Sequence, residues 1–155
     1  MGVIVAFGAM LIALGLALGD RYVAYAGIVF ISGQALLAYF VAGASKLTSI
    51  VWRSGSAVSG VMQTVTFGNA WAARLMLASP IVSFGVGWLV MGTEVLFPIA
   101  FIAPPLILAV ILIGFAIFHL SNAIFMGLNS FVLSFVATYP AVWLINTDIR
   151  SYLAP

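Results

Sequence analysis

The sequence predicts an all-α, polytopic transmembrane bundle, and three observations lead there. Hydrophobic residues make up 65% of the 155 and charged residues only 5%, for a mean hydropathy of +1.30. Soluble domains carry about a quarter of their residues as charges, so a water-soluble fold is excluded. The apolar residues form long runs, and the punctuation between them (Gly19-Asp20, Ser79-Pro80, Pro104-Pro105, Asn129-Ser130) is the kind that stops and restarts helices.

Five membrane segments follow in order, at 3–19, 23–44, 81–103, 106–128 and 131–145. The first is closed by Asp20 and Arg21; it lacks a basic stretch ahead of it, which favours a membrane helix over a signal peptide. The second crosses roughly 30 Å of hydrocarbon at about 1.5 Å per residue. Residues 46–78 mix Lys46, Arg53, Gln63, Asn69 and Arg74 with Val58, Val61, Met62, Val65 and two tryptophans, the pattern of an interfacial amphipathic segment. Ser79-Pro80 supplies a capping hydroxyl and a first-turn proline for the third segment. Pro104-Pro105 turns the chain into the fourth. The fifth is short for a crossing, and Pro140 lies inside it. Five crossings place Lys46, Arg53 and Arg74 on one face and Asp20, Arg21, Asp148 and Arg150 on the other, a difference in bases too small to orient the chain.

The absence of cysteine removes disulfides and thiolate metal sites, and five bases spread over 155 residues make no basic patch, so nucleic acid is not an expected partner. Attention falls on the few ionisable groups within or beside apolar runs. Lys46, the only lysine, follows Gly43-Ala44-Ser45. It is either an anchor whose ammonium snorkels to the headgroups or, in a water-poor pocket where an amine loses its preference for charge, a base. Glu94 lies about 20 Å along its helix from the Lys46 face, past the midplane. It is expected either as a protonated link between helices or as a proton carrier or cofactor contact. His119 and Asn122 share one stripe at i, i+3, nearer the Lys46 face. For His119, core packing and proton transfer both stand, whereas metal binding is not expected because no second histidine or cysteine completes a ligand set.

Tyr39-Phe40-Val41-Ala42-Gly43-Ala44-Ser45-Lys46-Leu47 resembles the Y-F-x-A-G-x-x-K-L stretch of the HTTM group, the membrane domain shared with vitamin K-dependent gamma-glutamyl carboxylase. Trp52-Arg53-Ser54-Gly55 is similar to the W-x-x-G that follows there. Phe118-His119-Leu120-Ser121-Asn122 is similar to the family's F-H-x-x-N, and Glu94 fills the place of an acidic residue in the preceding helix. The resemblance spans roughly residues 36 to 145. The G-x-x-K-L element also resembles DoxX-type four-helix proteins, which are linked to quinone chemistry.

The HTTM resemblance implies a quinone or hydroquinone of the vitamin K type as cofactor. It implies Lys46 as the base that deprotonates the hydroquinone, His119 beside it, and Trp52, Glu94 and Asn122 around the cofactor. The family's further helices before the lysine motif and its large soluble domain after the last span have no counterpart in these 155 residues, so a reduced or truncated member is expected, and carboxylation of protein glutamate is not expected of this chain alone. The expected location is the cell membrane, with membrane lipid as a partner. A second reading is a non-catalytic subunit or homo-oligomer, with Gly15, Gly19, Ser83 and Gly87 as small-residue helix contacts.

Overall fold

The computed structural model describes residues 1–153. The described residues form helices joined by turns and irregular connections, in the order α1 (Gly2–Leu18), α2 (Arg21–Thr48), α3 (Ile50–Arg53), α4 (Ser56–Met62), α5 (Ala70–Ala78), α6 (Pro80–Leu96), a 3-10 turn (Phe97–Phe101), α7 (Pro105–Met126), α8 (Asn129–Val136) and α9 (Tyr139–Leu153). Four stretches are long and apolar enough to cross a membrane: Arg21–Thr48, Pro80–Phe101, Pro105–Met126 and Asn129–Leu153; α1 is a shorter apolar helix of 17 residues. The outer face of α7 exposes Leu106, Val110, Ile113, Ile117 and Ile124. Apolar side chains turned outward in this way suit a hydrocarbon surround and not water.

The helix boundaries follow local chemistry. Gly19 takes a left-handed conformation (φ 68°) and its N–H closes α1, after which the Asp20 carboxylate accepts hydrogen bonds from the N–H groups of Tyr22 and Val23 to start α2. Pro80 and Pro105 each occupy a first helical turn, where a missing N–H costs nothing. The expected fifth segment, 131–145, is two helices broken at Ala137–Thr138, and the second continues to Leu153.

The bundle is organised on α2. Its buried residues Gly27, Ile31, Ala35, Tyr39 and Gly43 recur every fourth position and form one ridge. At its start the ridge meets α1, which runs antiparallel: a methyl on Gly15 would collide with the Ala24 backbone, and one on Gly8 would strike Ile31. Further along, Tyr39 sits in an aromatic cluster, with ring centroids 4.3 Å from Phe97, 4.4 Å from Phe115 and 5.0 Å from Phe135. Asn146 of α9 is fully buried and donates to the carbonyls of Ala100 (2.8 Å) and Ala103 (3.0 Å). The Ala100 carbonyl would otherwise look four residues on to Pro104, which has no N–H, so there the side chain supplies a donor the chain lacks.

Residues 46–78, expected as an interfacial amphipathic segment, do not form one helix. Lys46 belongs to the last turn of α2, and the remainder folds as three short helices with separate axes. Gly55 makes this possible. It has φ +80° and lies so close to α6 that a side chain would meet the Phe84 backbone; its carbonyl accepts a hydrogen bond from the Ser83 hydroxyl. The segment therefore packs against the first half of α6 as a wall.

Candidate functional site

The site begins with a glycine. A Cβ on Gly43 would stand 2.7 Å from the Val95 nitrogen and 2.8 Å from the Glu94 Cβ, so α2 and α6 approach backbone to backbone at this point. Lys46 is three residues further on, on the same face of α2. Its Nζ lies 2.6 Å from Glu94 Oε2, with side chains 21% and 7% exposed, and 3.5 Å from the Ala42 carbonyl. The ammonium also sits 5.3 Å from the centroid of the Trp52 ring, within cation–π range.

One expectation is corrected by this geometry. Glu94 was expected past the midplane and away from the lysine; it is the lysine's partner. The two residues meet because α2 runs on to Thr48 and crosses α6 near that helix's C-terminal end, where Glu94 is. Within the bundle the Lys46 head group meets a carboxylate, the Trp52 face and a carbonyl.

The ion pair forms part of the wall of a cavity of about 740 Å³. Tyr39, Ala42 and Lys46 of α2 line one side, and Val86, Val90 and Glu94 of α6 the next. His119, Asn122 and Phe125 of α7 face them, and Trp52, Val58, Trp71 and Met76 of the short helices close the end. The structure thus brings Lys46, Trp52, Glu94, His119 and Asn122 to one chamber. Its walls are otherwise apolar and aromatic, including a Trp71–Phe125 pair at 6.0 Å with planes 13° apart.

His119 is held from two sides. Its Nε2 shares a 2.7 Å hydrogen bond with the Tyr39 hydroxyl, and its ring stacks on Phe135 at 4.3 Å and 19°. The residue is 3% exposed, and Nδ1 has no hydrogen-bond partner. A buried polar atom without a partner costs free energy on the order of 1–3 kcal/mol, so a polar group of a bound molecule would find an unmet demand there. Asn122 lies one turn on, half-buried, with no side-chain hydrogen bond among the described residues. No cluster of three or more His, Cys, Asp or Glu able to hold a metal exists among the described residues.

Tyr39 is the candidate-site side chain that the sequence does not single out. The signal was present: Tyr39, Ala42, Gly43 and Lys46 fall at i, i+3, i+4 and i+7, one continuous helical stripe. Of the small residues expected as helix contacts, Gly15 lies against Ala24, Ser83 donates to the Gly55 carbonyl, Gly87 stands beside Val58, and an added Cβ on Gly19 meets nothing within 4 Å.

Compared with known proteins, the chain matches no family model, and no curated protein or solved structure matches it.

Proposed function

We propose that this protein is a cell-membrane protein that binds a quinone or a related ring-headed isoprenoid lipid in the α2–α6–α7 chamber, with Lys46 as the group that exchanges a proton with it. The single observation that carries this reading is the Lys46–Glu94 pair in the wall of a largely aromatic cavity that also contains His119 and Asn122. The residues suit such a head group. Flat aromatic faces accept a ring, and the unpartnered His119 Nδ1 and the Asn122 amide offer hydrogen bonds to ring oxygens. The HTTM-like motifs around Lys46 and His119 support the same reading.

A bound hydroquinone would supply an acidic hydroxyl and reducing electrons. The chain's own part is proton handling. At 2.6 Å the Lys46 proton can pass from Nζ to Glu94 Oε2, which replaces the resting ion pair by two neutral groups, an exchange that low dielectric brings within reach. The neutral amine can then take a proton from a ligand hydroxyl. Tyr39 holds the His119 ring in register through Nε2, which leaves Nδ1 for the ligand.

The test is reconstitution in lipid nanodiscs with a menaquinol, reading binding from quenching of Trp52 and Trp71 fluorescence and proton exchange from the rate of quinol oxidation by a soluble acceptor. Lys46→Arg keeps the positive charge for Glu94 but cannot readily act as a base. The expected result is retained binding with oxidation slowed by at least about tenfold, in the range that general bases contribute. Retained oxidation refutes the role of Lys46; absent binding in the wild type refutes the chamber.

A further inference from the structure

The chamber has a side exit. A second cavity, of about 490 Å³, lies between α6 and α7, bounded by Thr93, Leu96, Phe97, Ile99 and Val110. Leu89, Val90, Gly114 and Phe118 line both cavities, so the two are adjoining compartments separated by no more than one layer of side chains. Leu96 and Val110 are exposed on the bundle's apolar outer surface, which opens this compartment toward the surrounding hydrocarbon.

The backbone explains why it exists. The two helices are consecutive in the chain yet barely touch. The close partners of α7 are α8 and the 3-10 turn, at its two ends, and its middle stands away from α6. Gly114 is at that middle, and a Cβ built there meets no atom within 4 Å. A glycine with open space beyond it, inside an otherwise bulky Ile/Leu/Phe helix, keeps the passage free. The lining offers hydrocarbon and little else: the one hydroxyl, on Thr93, already donates to its own helix at the Leu89 and Val90 carbonyls.

The geometry points to the α6/α7 crevice as the channel for the hydrocarbon chain of a single-chain, ring-headed lipid. The head lodges beside Lys46 and His119, the chain passes Gly114, and its end lies in the bilayer. This rests on the head-group chamber described above and adds the route of entry, which is sideways from the membrane and not from water. Inside a bilayer the chain gains no hydrophobic free energy by leaving lipid for protein. The crevice therefore selects by shape, and filling it should exclude a chain while sparing a bare head group.

The probes are a prenylated menaquinone and its tailless parent menadione, measured by tryptophan quenching on the full-length protein in nanodiscs. Gly114→Phe places a ring in the passage. The ring occupies the open space the chain would need, so binding of the tailed probe should weaken roughly tenfold or more, while menadione stays within about twofold of wild type. Gly85→Phe, on a face of α6 that lines neither compartment and where an added Cβ also meets nothing, should leave both unchanged. Gly114→Leu repeats the measurement with a smaller plug if the phenylalanine variant does not fold. Equal tailed-probe affinity in wild type and both Gly114 variants overturns the channel. Parallel loss of menadione also overturns it, since the plug would then act through the head-group chamber and not through the passage. A wild type that binds neither probe removes the chamber and the channel together.

Discussion

Replacing Lys46 by methionine keeps most of the side-chain volume and removes the only positive charge on Glu94. The carboxylate is left with its side chain 7% exposed and without its 2.6 Å partner. Breaking a buried pair from one side costs about 3–5 kcal/mol, because the stranded charge keeps its desolvation penalty and loses its compensation. Glu94→Gln should cost less, about 1–3 kcal/mol, because the lysine side chain is three times as exposed and retains the Trp52 face and a 3.5 Å approach to the Ala42 carbonyl. The double variant Lys46→Met/Glu94→Leu removes both charges and should return to within about 1 kcal/mol of wild type. The assay is thermal unfolding in mild detergent. At about 2–4 °C per kcal/mol for a chain of this size, Lys46→Met should lower the midpoint by roughly 10 °C and the double variant by only a few degrees. The thermodynamic cycle closes on the pair itself. A coupling below about 0.5 kcal/mol, the level seen between independent sites, would refute the reasoning.

Two further outcomes follow from the fold. Asn146→Leu strips the donors from the Ala100 and Ala103 carbonyls and should cost about 3 kcal/mol, near the sum for two orphaned buried acceptors, read as a comparable fall in the detergent melting midpoint. Gly55→Ala forces a side chain into left-handed backbone at about 1–2 kcal/mol and sets its Cβ 2.6 Å from the Phe84 Cα; the wall of short helices should detach, visible as faster limited proteolysis within residues 50–78 while α6 and α7 stay protected.

The helices were legible because their signals are local. Ser79-Pro80 and Pro104-Pro105 mark the starts of α6 and α7, and composition alone required a membrane bundle. The relative depths of residues were not legible. They depend on how far each helix projects past its neighbour, and apolar runs carry no marker for that; the second apolar run ends at Ala44, whereas α2 continues through the lysine to Thr48. One glycine held the missing information. At Gly43 the helices touch, so Lys46 meets Glu94, but a glycine in an apolar run reads equally well as a lipid-facing residue. Asn146 was hidden for a related reason. It follows the last apolar run and reads as a surface residue until the Tyr139, Val142, Asn146 stripe of α9 is seen packed against the 3-10 turn. The candidate site was more legible than the architecture, since scarcity alone singled out Lys46, Glu94 and His119, and the structure sets all three around one cavity.

The ion pair also imposes an order of assembly. Its partners are 48 residues apart. At about 5–20 residues per second of synthesis, the lysine emerges roughly 2 to 10 s before the glutamate exists. During that interval α2 carries an uncompensated ammonium in its last turn, which keeps this end of the helix at the membrane boundary. Only when α6 has inserted can the charge be drawn inward and the crossing at Gly43 close. The salt bridge is thus a late lock on a bundle whose first hairpin, α1 with α2, is already packed, and a chain stalled before residue 94 should remain with its lysine open to water-soluble amine reagents.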